Sequence, residues 1–150
     1  MCIRDRGRPR TKRDRRIERP EPPFRASALW DIIDAMHIDR FRFGSVRIDG
    51  VDYTHDLIII GGVVQSPWVR TIGGHVFAPV DLTKLIDAAP DFVCLGTGAV
   101  GMVTIETATY DAFESAGTEI IADRTGRIID VFNRLVGEGR DVAAALHLTC

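Results

Sequence analysis

The sequence predicts a three-layer mixed α/β fold in which an N-terminal antiparallel β-meander leads into αβαβαβ with parallel crossovers. Three observations carry that prediction. Two tight-turn pairs, Asp49-Gly50 and Gly61-Gly62, separate β-branched and aromatic runs in the first half of the chain. Three segments of helical spacing then alternate with short apolar strands. The last apolar run, within residues 141–149, is nearly continuous, as expected of a central strand covered on both faces.

Arg40–Ile48 reads as the first strand, from its alternation of aromatic and β-branched residues. Asp49-Gly50 is a strong hairpin signal, because a type I′ turn needs positive φ at both positions. Val51–Ile60 reads as the second strand and ends in four consecutive apolar residues. Val63–Val69, interrupted by Pro67, reads as the third. Asp81 is then a plausible N-cap for a helix carrying Leu82, Leu85 and Ile86 on one face and stopped before Pro90. Phe92–Leu95 is a short buried strand. A helix begins at Thr107 or Thr109, places Tyr110 and Phe113 at helical spacing, and takes Gly117 as its C′ residue. Thr118–Ala122 is the next strand. The clearest helix starts at Thr125, with Ile128, Phe132 and Leu135 on one face and Gly137 and Gly139 behind it. Asp141–Thr149 is the last strand. Strands joined through helices pair in parallel by right-handed crossovers.

At 150 residues, 45% apolar and 27% charged, the chain has the size and composition of one ordinary globular domain with a tail. Its longest apolar run, Leu57–Ile60 continued through Gly61-Gly62-Val63-Val64, falls well short of the roughly 18–20 residues of a membrane span. No membrane insertion is expected. Cys2, Cys94 and Cys150 show neither a C-x-x-C pair nor metal spacing, which suits a reducing compartment, and the cytoplasm is the expected location.

The net charge of −2 conceals a division. Residues 1–25 hold ten basic and four acidic residues, whereas the remainder holds nine and seventeen. Residues 1–39 therefore read as a basic leader, expected to be disordered, and residues 40–150 as a single α/β domain. A basic arm could meet nucleic acid through counterion release. A targeting presequence should lack the acids at Asp5, Asp14 and Glu18. The opening Met1-Cys2-Ile3-Arg4-Asp5-Arg6 resembles a translated adapter, so a non-native leader with a natural start at Met36 is the third reading. Ser27–Met36 also shows a helix-like apolar spacing. The acidic domain itself argues against nucleic acid as its main partner.

Phe92-Val93-Cys94-Leu95 runs into Gly96-Thr97-Gly98-Ala99-Val100-Gly101, a literal G-x-G-x-x-G after a strand. In a dinucleotide site the third glycine opens a helix whose N–H groups face the pyrophosphate. Here Met102-Val103-Thr104-Ile105 follows, which is β-branched and extended, and the motif comes after a meander rather than in a first βα unit. A closed turn is therefore expected, with an anion site as the second reading.

The segments Phe41-x-Phe43-Gly44, Ile48-Asp49-Gly50-x-x-Tyr53-Thr54-x-Asp56, Trp68-x-Arg70, Gly96-x-Gly98, Asn133 and Ala144-Ala145-Leu146-His147-Leu148-Thr149-Cys150 together resemble a small α/β domain family of unknown biochemical function. Its eukaryotic relatives are the adipogenesis-associated domain protein and the mitochondrial complex I assembly factor 3, and its type structure is a methanobacterial hypothetical protein. The resemblance spans residues 40–150. It implies a three-layer mixed α/β fold and supplies no catalytic residues.

Among the histidines, His147 reads as a core or sheet-end residue on the same face as Ala143 and Ala145. His75 lies in a glycine-rich turn where an exposed role is plausible, and His55 reads as structural. No carboxylate stands at i+3 or i+4 from a histidine on a helix, so neither a metal nor a cofactor is expected. Cys94 reads as a small core residue. Cys150 is a poor nucleophile, because a carboxylate at the chain end would raise its thiol pKa. No Ser-His-Asp order, nucleophile elbow or Walker loop is present. The expected function is thus a non-catalytic binding or assembly module with a protein partner. The alternative is a small-ligand or anion-binding domain, with Trp68, Arg70, His75, Gly96, Thr97, Gly98, Gly101 and Thr125 as its site. Its pocket would lie where the glycine turn, the Arg70–His75 loop and the start of the Thr125 helix converge.

Overall fold

A computed structural model describes residues 36–150. Ser27–Met36 and the leader fall almost wholly outside the described residues. The elements in chain order are β1 (Ile38–Arg42), β2 (Ser45–Ile48), β3 (Val51–Tyr53), β4 (Leu57–Ile60), β5 (Val63–Gln65) and β6 (Val76–Phe77). A 3-10 turn (Pro79–Asp81), α1 (Thr83–Ala88), β7 (Phe92–Gly96) and β8 (Thr104–Ile105) follow. The chain closes with α2 (Thr107–Ser115), β9 (Glu119–Asp123), α3 (Thr125–Gly137) and β10 (Val142–Leu146).

The main sheet runs β9-β7-β10-β4-β5. β9 and β10 flank β7 in parallel, while β4 and β5 add antiparallel strands beyond β10. β10 is thus an interior strand, and all five of its residues are buried. The two faces of this sheet hold two cores. On one, α3 gives Ile128, Phe132 and Leu135 to Leu57, Ile59, Cys94, Ala144 and Leu146, together with Ile38, Val46 and Ile48 of the meander. On the other, Leu85 of α1 and Phe113 of α2 meet Ile58, Val93, Leu95, Ala143 and Ala145. The alternation of Ala143 and Ala145 with Ala144 and Leu146 assigns β10 to both cores, as a pleated strand must when both its faces are covered. The result is the expected three-layer mixed α/β architecture.

The opening strands divide more finely than the sequence suggests. Arg40–Ile48 is two strands, turned at Phe43-Gly44, and the Gly44 N–H donates to the Leu148 carbonyl at 2.7 Å. Val51–Ile60 is likewise broken at residues 54–56. Its first part closes the three-stranded meander β1-β2-β3, and its second part enters the main sheet. The third strand ends at Gln65, before the cis Ser66–Pro67 bond. The turns themselves hold: Asp49 and Gly50 both have positive φ, of 48° and 82°, as a type I′ turn requires. The Asn133 amide of α3 pins the meander by accepting from the Ile38 N–H at 2.8 Å and donating to its carbonyl at 2.9 Å.

Asp81 is not a helix cap. Leu82 occupies the N-cap of α1 without a side-chain bond. The Asp81 carboxylate instead accepts from the Thr71 N–H and hydroxyl, each at 2.8 Å, and from the Ile72 N–H at 3.3 Å. Helix α2 starts at Thr107 and is followed by Gly117 at φ 81°, and α3 is followed by Gly139 at φ 76°.

Candidate functional site

The glycine motif forms a closed turn at the C-terminal end of β7. Its amides are spent inside the chain. Thr97 N–H donates to the Asp123 carbonyl at 2.9 Å, Gly98 N–H to Thr125 Oγ1 at 2.9 Å, and Ala99 N–H to the Thr149 carbonyl. Met102 N–H donates to Cys150 O at 2.9 Å, and Gly101 N–H to the Gly98 carbonyl at 3.3 Å. Thr125, the first residue of α3, gives its own N–H to the Gly98 carbonyl at 3.0 Å. After Gly101 the chain stays extended, pairing Thr104–Ile105 with Val76–Phe77 before α2 begins. The helix that a dinucleotide site needs directly after its third glycine therefore does not follow Gly101.

Both leading glycines are required by space. A Cβ at Gly96 would lie 2.8 Å from Thr125 Oγ1, because α3 packs directly on the strand end. Gly98 has φ 109°, and a Cβ there would strike the Cys150 backbone and approach His147 Cδ2 at 3.0 Å.

Beside this turn lies a buried charge cluster. The Arg70 side chain is only 4% exposed, and its Nη2 donates to Asp56 Oδ2 at 2.9 Å and to the Gly74 carbonyl. Its Cζ stands 4.7 Å from the Trp68 ring centroid and 5.4 Å from that of Phe77, so the cation is held against two aromatic faces. Nη1 is buried with no hydrogen-bond partner among the described residues. The Trp68 indole N–H donates to the Asp81 carbonyl at 3.0 Å. Asp56 Oδ2 also lies 2.7 Å from His147 Nδ1, and its Oδ1 accepts from the Leu148 N–H at 2.9 Å. Burial works against the Asp56 charge, but the bonds from His147 and Leu148 and the Arg70 cation outweigh it and hold the carboxyl below its ordinary 3.8.

His147 is buried, Thr149 Oγ1 lies 3.2 Å from its Nε2, and its carbonyl accepts from Thr125 Oγ1 at 2.7 Å. His75 is exposed and sets its ring edge-on to His147, with centroids 5.6 Å apart. His55 is exposed, with its Nδ1 3.4 Å from Thr54 Oγ1 and its carbonyl accepting from Ser66 Oγ at 3.3 Å. Cys94 is buried in the core beside Ala144, and burial pushes its thiol up to about 12. Among the described residues no three ligating side chains converge on a possible metal position.

The structure thus brings together the residues expected to converge: Trp68, Arg70, His75, Gly96, Thr97, Gly98 and Thr125 all surround the end of β10. It packs them closed. An open cleft of about 400 Å³ lies elsewhere on the turn, lined by Thr97, Gly101, Val103, Tyr110 and Arg124, and its wall does not include Arg70 or His75. Asp56 and the Trp68 ring already lie against the Arg70 guanidinium. Asp56 and His147 were missed as site residues. The available signal was two ionisable side chains at the edges of the two most apolar strands, where each would need a partner.

The chain matches, over residues 38–147, the family described as a protein of unknown function (DUF498/DUF598). A search of curated proteins finds no match. Among solved structures it is similar to the conserved hypothetical protein PH1505 from Pyrococcus horikoshii, at 28% identity and TM-score 0.67, over 75% of this chain and 98% of that one. It is similar to MT938 at 26% identity and TM-score 0.65, over 77% and 99% of the respective chains. A Mth938-like domain of Bordetella pertussis shares the fold at 18% identity and TM-score 0.58, over 86% and 90%. Among the described residues no helix is long and apolar enough to cross a membrane. The chain belongs to the DUF498/DUF598 family.

Proposed function

We propose that the domain is a binding module that works by protein–protein contact, in an assembly role like that of the eukaryotic proteins it resembles and, from its sparse cysteines, in the cytoplasm. One observation carries this reading. Val69 and Ile72 are 78% and 53% exposed on a loop held in place by Arg70 and by the three hydrogen bonds to Asp81, and Val80 on the 3-10 turn that carries Asp81 is 61% exposed. Exposed apolar side chains on a tethered loop suit docking, since little ordering entropy remains to be lost on binding.

Native mass spectrometry of the gently purified chain tests it. A stoichiometric protein companion should be present and should be lost when Ile72 and Val80 are both changed to Asp, with thermal unfolding unchanged. A companion kept by that double variant would remove this loop from the interface.

The open cleft supports a second reading, a small anionic ligand. The Arg124 side chain packs over Gly101, with Nε 3.8 Å from where a Cβ added there would lie, and exposed Tyr110 lines the same cleft. An adduct of small mass that disappears in Arg124→Ala, in place of a protein companion, would select this reading.

A further inference from the structure

We infer that Thr149, His147 and Asp56 form a hydroxyl–imidazole–carboxylate relay able to accept an acyl group from an ester. This goes beyond the binding reading and does not rest on it. Activated hydroxyls are recognised by geometry: a nucleophile within hydrogen-bond reach of a base, and the base oriented by a third group. Here Thr149 Oγ1 is 3.2 Å from His147 Nε2, and His147 Nδ1 is 2.7 Å from Asp56 Oδ2.

The tautomer follows from the partners. Two groups reach Nδ1: Asp56 Oδ2 at 2.7 Å, which as a carboxylate only accepts, and Arg70 Nη2 at 3.2 Å, which only donates. The shorter contact assigns the Nδ1 proton to Asp56, whose ionised form the Arg70 cation at 2.9 Å favours. In the neutral ring the lone pair is then on Nε2, facing the threonine hydroxyl, which donates to it. The arrangement is stiff. Asp56 Oδ1 holds the Leu148 N–H at 2.9 Å, the His147 N–H donates to the Gly96 carbonyl at 3.0 Å, and the Thr149 carbonyl accepts from Ala99. The side chains of Asp56, Arg70 and His75 face His147, the Cys150 backbone lies beside its ring at Gly98, and the glycine turn contributes backbone. Asp56 and Arg70 are screened from solvent, whereas Thr149 is only partly buried.

The step balances without oxidant or reductant. As Thr149 Oγ1 bonds to the ester carbonyl carbon, its proton moves to His147 Nε2, and the departing alkoxide or phenoxide takes that proton when its C–O bond breaks. Water then attacks the acyl-threonine, passes a proton to Nε2, and the breaking Oγ1–C bond returns a free hydroxyl. The net change is ester and water to acid and alcohol. The turn's N–H groups are committed to carbonyl and hydroxyl oxygens, so little oxyanion stabilisation is left and a slow reaction is expected.

The test is incubation of the full chain with p-nitrophenyl acetate, followed by peptide mapping. One acetyl group on Thr149 is expected, absent in Thr149→Val and kept in Thr149→Ser. His147→Gln should slow its formation roughly 100-fold, the scale of a lost general base. Should His147→Gln unfold, the Thr149 pair decides alone. Acetylation of Cys150 or of a lysine instead, or no acetylation of the folded chain, would overturn the relay and leave the three residues a structural network.

Discussion

The glycine turn at residues 96–101 and the cluster of Asp56, Arg70 and His147 touch each other at one end of the main sheet, yet they satisfy their polar atoms by opposite means. The turn uses backbone and hydroxyl groups, with the carbonyls of Asp123 and Thr149, Cys150 O and the Thr125 hydroxyl as acceptors. The cluster uses a buried cation, a carboxylate and an imidazole drawn from positions 91 and 77 residues apart in sequence. A turn of the first kind tolerates no added atom, because its geometry is set by close packing. A cluster of the second kind tolerates no lost partner, because each charge remaining in the low-dielectric interior must be matched.

Gly98→Val probes the first limit and should have the largest effect. Its side chain would meet the Cys150 backbone and His147 at a φ that only glycine adopts freely. A loss on the order of 4 kcal/mol is expected in urea unfolding, enough to prevent folding of a marginal domain. Stability close to that of the parent chain would show that the turn is looser than its hydrogen bonds suggest.

Asp56→Asn probes the second and should cost about 3 kcal/mol, since it strands Arg70 beside a neutral group. The pH dependence sharpens it. Asp56 has a folded pKa below its ordinary 3.8, so its contribution is complete above that value and fades as pH falls through the lower folded value. Thermal unfolding of the parent chain should therefore be insensitive to this group near neutrality and fall in acid. In Asp56→Asn that part of the acid fall should be missing, and an unchanged acid limb would assign it to other carboxylates.

Thr125→Val lies between the two regions, since this buried hydroxyl accepts from the turn and donates to the His147 carbonyl. About 2 kcal/mol should be lost, with hydrogen exchange accelerated at Gly98. Protection retained at Gly98 would mean that water replaces the hydroxyl. In the meander, Arg47→Ala breaks only an exposed pair with Asp52, and no measurable change in unfolding temperature is expected. A clear drop there would undo the contrast between buried and exposed charge.

Legibility in the sequence followed range. The Asp49-Gly50 and Gly61-Gly62 turns, the amphipathic face of α3 and the closing glycines of α2 and α3 depend on residues a few positions apart, and each is where the sequence placed it. The failed dinucleotide fingerprint was legible for the same reason, from the β-branched run after Gly101. Splitting of the first strand at Phe43-Gly44 was not, because the acceptor for the Gly44 N–H is Leu148, at the other end of the chain. Asp81 shows the same limit: locally it resembles a helix cap, and only the folded chain offers it the Thr71 and Ile72 donors instead.

By itself, then, the sequence determined the alternation of α1, β7, α2, β9, α3 and β10, the two hairpin turns and the interior place of β10, because backbone dihedral preference and side-chain periodicity are local properties. Only the tertiary structure decided that the glycine amides would be used up within the chain and that Asp56, Arg70 and His147 would share one buried site. Those outcomes rest on which carbonyls and charges arrive nearby once three layers have packed, and no local window of residues contains that information.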